Sequence, residues 1–149
     1  FSSAASDVYK RQDDGSPKEQ FIGILSENMV RQYLELPLIE PKGFDGGYDI
    51  MYKGQKADIK SMNRTVDPKP FYINNVFDVQ LKHKSDAYIF TSLNTKKKNL
   101  SICGWVSKKD FKKRASFYPK GTVRMRGPEP FPLRADNWEI ENKDLNEFS

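Results

Sequence analysis

Asp49, Asp58 and Lys60 are predicted to converge on one face of a β-hairpin. Because Lys53-Gly54 suits a two-residue turn, Asp49 is placed opposite Asp58 on the neighbouring strand. Side chains alternate along a strand, so Lys60 joins Asp58 on the same face. Directly opposed residues hold their Cβ atoms about 4.5–5.5 Å apart, and like charges at that separation destabilise a sheet. A divalent cation that prefers oxygen ligands would relieve this repulsion, so the pattern predicts a metal site on the hairpin.

The pattern Asp49, eight intervening residues, Asp58-x-Lys60 resembles the motif of the PD-(D/E)xK nuclease superfamily. Tyr48 stands in place of the proline in the family name. In that family the helix before the hairpin often supplies a glutamate, and Glu27 lies at the expected position.

The resemblance implies an α/β fold in which helices flank a central mixed β-sheet, with the restriction-endonuclease-like αβββαβ core. It extends over about residues 18–93, where the sequence itself predicts the order helix, hairpin, helix and strand. It further implies a phage or bacterial protein that hydrolyses phosphodiester bonds in DNA, with RNA as the alternative substrate. A cytoplasmic location is expected, and the oligomeric state is open, a homodimer included.

The resemblance also assigns roles to individual residues. The metal, Mg²⁺ or Mn²⁺, would be held by oxygen ligands: Asp49, Asp58, the backbone carbonyl of Ile59 and, outside these, Glu27. Lys60 would either stabilise charge on the phosphate or take a proton from the attacking water, and both roles remain open. Gln80, on a second predicted helix, would line the active site.

Most of these assignments have a simpler structural alternative. Glu27 is also spaced to form a surface ion pair with Arg31, one helical turn later. Gln80 taken alone is typical of a solvated glutamine. The hairpin can be an ordinary exposed one in which Lys60 offsets the aspartates. Asp45, a competing acidic ligand, lies among glycines, where turn formation is a sufficient explanation.

Composition limits the classes of protein that fit. The 149 residues, 37% of them hydrophobic, are enough for one domain with a single core. One cysteine, Cys103, excludes an internal disulfide and a cysteine-based zinc site, and it favours a reducing compartment. His83 is the only histidine, which excludes a Ser-His-Asp triad at any other histidine, and a structural or surface role is expected for it. No apolar run approaches the ~20 residues of a membrane span, so no membrane partner is expected.

The chain is expected to form one domain after an atypical start. Residues 1–12 resemble translated sequencing-adapter read-through of the kind found at the ends of metagenomic reading frames, and we expect them to be non-native. Residues 13–149 are expected to form a single nuclease-like domain. Its core would span about residues 18–106, and residues 107–149 would add a basic helix and a C-terminal extension.

Positive charge is concentrated in one segment. Residues 82–120 hold eleven lysines or arginines against two aspartates, a balance of +9, whereas residues 121–149 hold four basic and six acidic residues. Such a basic segment is typical of polyanion binding, although a soluble lysine-rich surface has the same composition. With the loop after the hairpin included, the residues expected to contact nucleic-acid phosphates are Arg64, Lys69, Lys82, Lys84, Lys96, Lys97, Lys108, Lys112 and Lys113.

Hydrophobic periodicity and breaker residues predict the elements that position these groups. Helices are expected over 18–36, over 72–84 and, capped by Ser107, over 108–115. A charged turn at 94–99 would join two strands, 86–93 (buried on both faces) and 100–106. The other predicted features are a short strand at 38–40, a flexible approach at 41–47, a polar loop at 61–70, a proline-rich loop at 127–132 and a closing edge strand at 138–140.

Two functions without catalysis also fit the sequence. One is a nucleic-acid-binding or packaging accessory protein that retains the same fold, and the other is a lysine-rich structural protein without a ligand. Magnesium-dependent cleavage would separate the nuclease from both, and salt-sensitive binding of DNA in EDTA would separate the two from each other.

Overall fold

The computed structural model describes residues 17–36 and 49–148, with the backbone alone described over 17–22. Within these ranges the chain is mixed α/β, and strands make up most of its regular structure. In chain order the elements are α1 (Pro17–Tyr33), β1 (Ile50–Tyr52), β2 (Gln55–Arg64), β3 (Ile73–Phe77), a 3₁₀ helix (Asp78–Lys82), β4 (Ala87–Asn94), β5 (Asn99–Ser107), α2 (Lys108–Arg114), β6 (Ser116–Tyr118), β7 (Val123–Arg126), β8 (Glu129–Pro132), β9 (Asn137–Glu141) and a second 3₁₀ helix (Asn142–Asp144).

Four strands form a mixed sheet in the order β1-β2-β4-β5. The two outer pairs are antiparallel, whereas β2 and β4 run parallel along eight paired positions. All eight residues of β4 are buried, as predicted for an apolar strand covered on both faces. The mixed sheet of the predicted fold class is therefore confirmed.

Different layers cover the two faces of this sheet. α1 covers one face, where Val30 packs in a cluster with Ala57 and Ile89. α2 and a second sheet cover the other face, where Tyr88 and Phe111 belong to a separate cluster. Side chains alternate along β2 and β4, so odd-numbered residues of these strands face α1 and even-numbered residues face the second sheet.

The second sheet has three strands in the order β3-β9-β6, and β7 and β8 form a separate hairpin. Trp138 of β9 joins this sheet to α2. Its ring lies 6.3 Å from that of Phe111 and 5.1 Å from that of Phe117, measured between ring centroids.

The helix predicted over 72–84 is wrong. This segment forms β3, followed by the 3₁₀ helix. Asn74 and Val76 are buried while the residues between and beside them are more exposed, which is the two-residue period of a strand. The amide of Asn74 donates to the side-chain oxygen of Asn142 at 2.7 Å, so pairing with the β9 end of the chain satisfies a buried polar group.

Three other predictions need correction. The polar loop expected over 61–70 begins inside β2, which runs to Arg64. The proline-rich segment 127–132 includes strand β8, because prolines are tolerated on a strand that pairs on one side only. The strand over 138–140 exists as part of β9, but it lies in the centre of its sheet, between β3 and β6.

The remaining elements agree with the sequence. The strands over 86–93 and 100–106 and the charged turn between them are confirmed. Ser107 caps α2 by accepting a hydrogen bond from the Asp110 N–H at 3.1 Å. α1 ends at Tyr33, three residues earlier than expected. The features predicted at 1–12, 38–40 and 41–47, Asp45 included, lie outside the described residues.

No helix among the described residues is both long enough and apolar enough to cross a membrane.

Candidate active site

The β1–β2 hairpin has the predicted turn and register. Lys53 and Gly54 both have positive φ angles, 48° and 78°, as a tight two-residue turn of the primed type requires. The strands pair Tyr52 with Gln55, Met51 with Lys56 and Ile50 with Ala57. This register determines where the acidic residues at the open end of the hairpin lie.

Asp49 lies just before β1 and bonds to residues on both sides of Asp58. Its backbone N–H donates to the carbonyl of Ala57 at 2.9 Å. Its carboxylate oxygen Oδ2 accepts a hydrogen bond from the N–H of Ile59 at 2.7 Å. Arg31 of α1 donates to the Asp49 carbonyl at 2.7 Å. Asp49 is therefore held beside Asp58 by the backbone of β2.

Asp58 is a buried carboxylate with one unsatisfied oxygen. Its exposed fraction is 5%, and Oδ2 has no hydrogen-bond partner within the described residues. The nearest basic groups to this oxygen are the ammonium of Lys60 at 4.0 Å and the imidazole Nδ1 of His83 at 3.9 Å, both beyond hydrogen-bonding distance. An unsatisfied buried carboxylate oxygen is costly to keep desolvated, and its environment favours an incoming positive charge.

Electrostatic repulsion links the acidic residues. Burial, and then the charge of Asp58, raise the pKa of Asp49 against the hydrogen bond from Ile59. Burial, followed by the charge of Asp49, raises the pKa of Glu27 to about 7, although Arg31 acts in the opposite direction. Both carboxyl groups are thus disfavoured as anions unless a cation approaches them.

Glu27 and Asp58 lie on opposite faces of the sheet, and Asp49 interacts with both. Glu27 lies on α1, on the face toward which Ala57 and Ile59 point, whereas Asp58 points to the opposite face. Asp49, at the end of the hairpin, is coupled to both. Across residues 17–36 and 49–148, no group of three or more His, Cys, Asp or Glu side chains is close enough to hold a metal ion.

The donor set nevertheless fits a hydrated divalent cation. Asp49 and Asp58 interact electrostatically at the open end of the hairpin, and Oδ2 of Asp58 accepts no hydrogen bond from residues 17–36 or 49–148. Magnesium keeps several of its waters and needs only one or two protein carboxylates, so the pair suffices without Glu27. The repulsion between the two aspartates and the unsatisfied oxygen would both be relieved by the ion.

Glu27 and Gln80 each have a local partner. Glu27 pairs with Arg31 at 3.3 Å, but it is only 9% exposed and is not the surface pair that the spacing also allowed. Gln80 lies in the 3₁₀ helix, and its side-chain oxygen accepts a hydrogen bond from the N–H of Phe77 at 3.2 Å. This capping bond accounts for the position of the Gln80 side chain, and no described contact of Gln80 reaches Asp49 or Asp58.

Three residues near Asp58 were not predicted from the sequence to belong to this site: His83, Tyr88 and Lys108. Tyr88 is paired with Asp58 in the parallel ladder, and its pKa is raised to about 12 by burial and then by the Asp58 charge. The ammonium of Lys108 donates to the carbonyls of Leu81 and His83, at 2.9 and 2.6 Å, which fixes the segment that carries the histidine. The position of Tyr88 in a buried strand was the one available signal, but the strand that it pairs with could not be read from it.

The basic residues divide into two groups at opposite ends of the sheet. β4 has eight residues and spans about 23 Å, so the turn after it and the start of α2 are well separated. At the turn, Lys97 pairs with Asp67 at 3.0 Å. Near the other end are exposed lysines on and after the first 3₁₀ helix and on α2: Lys82, Lys84, Lys112 and Lys113. The segment that is continuous in sequence is therefore not one continuous patch.

Arg64 and Lys69 lie away from the aspartates, near Tyr72. The guanidinium of Arg64 donates to the carbonyl of Ile73 at 2.6 Å and its Cζ lies 4.5 Å from the centre of the Tyr72 ring. The ammonium of Lys69 lies 5.9 Å from the same ring.

Comparisons with known proteins add no relative: no protein-family model, no curated protein and no solved structure matches this chain.

Proposed function

We propose that this chain is a metal-dependent nuclease that hydrolyses phosphodiester bonds in DNA. The observation that carries the proposal is the buried, unsatisfied Oδ2 of Asp58, with Asp49 beside it and the Lys60 ammonium 4.0 Å away. Two carboxylates and one amine at the end of a hairpin supply the charges that a divalent metal and a phosphate diester require.

Asp49 and Asp58 would hold Mg²⁺ or Mn²⁺, which supplies a polarised water and stabilises charge on the phosphate when bound. The N–H of Ile59 fixes the orientation of the Asp49 carboxylate. Lys60 shares a face of β2 with Asp58, so its ammonium can reach the phosphate oxygens and stabilise the negative charge that develops there. Glu27, as the neutral acid or as the anion, would adjust the charge around Asp49.

The restriction-endonuclease-like αβββαβ core is part of the same proposal. α1 packs on the sheet that carries the hairpin, and β4 runs parallel to β2, which supports this assignment. The strand β3 and the 3₁₀ helix stand where the sequence predicted the second helix of that core.

Conversion of supercoiled plasmid to nicked circles in Mg²⁺ or Mn²⁺ tests the proposal. We expect cleavage by the natural chain, and a loss of about 100-fold or more in both Asp58→Asn and Lys60→Met. The first variant removes a carboxylate that would hold the metal, and the second removes the ammonium that would stabilise charge on the phosphate. Glu147→Gln and Lys143→Met are matched controls on exposed side chains near the C-terminal end, and they should keep full activity.

Binding of DNA in EDTA separates catalysis from recognition in these variants. Asp58→Asn should retain DNA affinity, because it removes a negative charge that repels phosphates. Absence of cleavage with either metal, or equal cleavage by Asp58→Asn and the natural chain, would reject the nuclease.

A second candidate is a non-catalytic nucleic-acid-binding protein with the same fold. The separation of Glu27 from Asp58 by the sheet favours it, because no group of three metal-binding side chains is formed within the described residues. In that case the natural chain would bind DNA in EDTA without any need for a metal, and neither metal would produce nicks.

A further inference from the structure

A concave site lies apart from the aspartates. A cavity of about 470 Å³ opens between the end of β2, β3 and the β7–β8 hairpin. Its volume falls within the range of small-molecule sites in proteins. Three arginines and one glutamate line it, a balance of +2: Arg64, Arg124, Arg126 and Glu139. We refer to this cavity as the stacking groove.

Flat side chains form the walls of the stacking groove. Arg64 lies over the ring of Tyr72 at 4.5 Å, and Arg126 lies over the ring of Phe131 at 4.8 Å, measured from Cζ to the ring centre. Phe71 meets Tyr72 edge to face at 5.2 Å. Phe71 itself is 61% exposed, so most of a large apolar ring is open to solvent at the rim of a positively charged groove.

The three arginines differ in how their charges are used. Arg124 is neutralised by two hydrogen bonds to Glu139, at 2.7 and 3.1 Å. Arg64 keeps one buried donor, Nε, without a hydrogen-bond partner in the described part of the chain. Arg126 is exposed and makes no ion pair with any residue of 17–36 or 49–148. The groove therefore retains the exposed guanidinium of Arg126 for an anion.

We propose that the stacking groove binds unpaired nucleotides of a single-stranded nucleic acid, with a base on Phe71 and a phosphate on Arg126. Aromatic rings beside arginines are the combination that holds single strands, because every base has a face to stack and every nucleotide has a phosphate. A base-paired duplex keeps its bases stacked inside and has none to offer to Phe71.

The position of the groove connects it to the aspartates. Lys60 and Arg64 lie on the same face of β2, four residues or about 13 Å apart. At the ~3.4 Å rise of one nucleotide in a stacked strand, a few nucleotides span that distance. We infer that the strand held in the groove is also the strand presented to Asp58 and Lys60, and this step alone rests on the proposed function.

Fluorescence anisotropy in EDTA tests the groove independently of cleavage. The probes are a labelled oligothymidine, a labelled oligodeoxyuridine, a labelled oligouridine and a duplex of equal length. We expect the natural chain to bind the single strands, and Phe71→Ala to weaken that binding about 5- to 100-fold. Arg126→Gln should weaken it and lower the slope of log affinity against log salt by about 0.7. Both variants should leave duplex binding unchanged.

Two control variants are matched to these changes. Phe77→Ala removes another partly exposed phenylalanine, and Arg134→Gln removes another exposed arginine, and neither residue lines the groove. Both should bind oligothymidine as the natural chain does. Equal losses in the control variants, unchanged single-strand affinity in Phe71→Ala and Arg126→Gln, or parallel losses for duplex would each overturn the proposal.

Photocrosslinking keeps the proposal testable should a variant fold poorly. An oligonucleotide that contains bromodeoxyuridine, irradiated on the natural chain, should crosslink within the peptides that carry Phe71 or Phe131, and crosslinks confined to other peptides would reject the groove. A preference between oligodeoxyuridine and oligouridine, which differ only in the 2′-hydroxyl, identifies the sugar. Groove binding without metal-dependent nicking would leave this inference standing while the nuclease fails, and nicking without groove binding would do the reverse.

Discussion

Burial and a neighbouring carboxylate both raise the pKa of Glu27. The side chain is enclosed between α1 and the sheet, and its distance of 3.3 Å from Arg31 gives only partial compensation. The charge of Asp49 adds repulsion, so the pKa of Glu27 rises from 4.5 to about 7. Near neutral pH this residue therefore exchanges between the acid and the anion, and the folded state is less tolerant of the anion than the unfolded chain is.

This predicts that Glu27 makes the protein less stable as pH rises. Between about pH 4.5 and 7 the unfolded chain has lost the proton of Glu27 while the folded chain keeps it, so the free energy of unfolding decreases through this window. The total change from this residue is at most about 3 kcal/mol. Urea denaturation in EDTA at about pH 5 and pH 8 measures it, by comparison of the natural chain with Glu27→Gln.

The variant removes the titrating group, so the loss of stability between the two pH values should be smaller in Glu27→Gln. Glu147→Gln is the control, because its carboxylate is exposed, and it should keep the pH dependence of the natural chain. Identical pH dependence in all three proteins would contradict the raised pKa of Glu27.

At the scale of elements, a bulge in the edge strand β5 lies where the C-terminal segment pairs with that strand. The β4–β5 register shifts so that Phe90 pairs with Gly104 while Thr91 pairs with Ile102. Gly104 has a φ angle of 150°, and a Cβ at this position would lie 2.7 Å from the carbonyl oxygen of Asn146. Next to it, the Trp105 N–H donates to the same oxygen at 3.0 Å. Close backbone approach therefore requires glycine here.

We predict that Gly104→Ala lowers the free energy of unfolding by about 2–4 kcal/mol, because overpacking and backbone strain add. Gly23→Ala in α1 is the control, and we expect it to change stability in the opposite direction. Among the described atoms outside its own helix backbone and chain neighbours, none lies within 4 Å of the added methyl, and alanine is the better helix former, so stability should rise by up to about 1 kcal/mol. Urea denaturation of both variants measures the difference, and a Gly104→Ala variant as stable as the natural chain would contradict the packing at the bulge.

Local signals in the sequence predicted the hairpin correctly. The segment that forms β3 was wrongly predicted as a helix, because its structure depends on non-local pairing. Lys53-Gly54 sets a turn through its own backbone preferences, and the register of the aspartates follows from it without reference to the rest of the chain. Val76 and Val79 lie within one helical arc, but the burial of Asn74 beside Val76 depends on β9, more than sixty residues later. Periodicity over a short segment cannot resolve such a choice.

The candidate site could be predicted only as far as the hairpin carries it. Asp49, Asp58 and Lys60 are close in sequence, and their relation follows from the register. The approach of His83 to Asp58 joins residues 25 positions apart and depends on where the chain leads after the first 3₁₀ helix. The placement of Glu27 on the face opposite Asp58 depends on which face of the sheet α1 covers. Asp49, at the end of the hairpin, interacts electrostatically with both carboxyl groups.

At the scale of the whole molecule, the sheet separates basic residues that lie in one continuous segment of the sequence. β5 runs from the lysines of the β4–β5 turn to the lysines of α2, which places the two groups about 23 Å apart. Lys112 of α2 belongs to the group near the aspartates, because it, Asp58 and Lys60 all influence the pKa of Lys108, which burial lowers. A phosphate backbone on this side would meet Lys112 and reach Asp58 together.

We therefore predict that Lys112 and Lys113 supply phosphate contacts for duplex DNA. The double variant Lys112→Gln/Lys113→Gln should lower the slope of log affinity against log salt by about 1.8, since each lost contact to B-form DNA contributes about 0.9. Anisotropy titrations in EDTA between about 50 and 200 mM salt measure the slope. The control is Arg134→Gln/Lys143→Gln, which changes the net charge equally in the acidic C-terminal segment, where Lys143 is already paired with Glu141 at 3.2 Å. An equal fall in slope for both double variants would mean that net charge alone attracts DNA, and the α2 lysines would then have no special position relative to the aspartates.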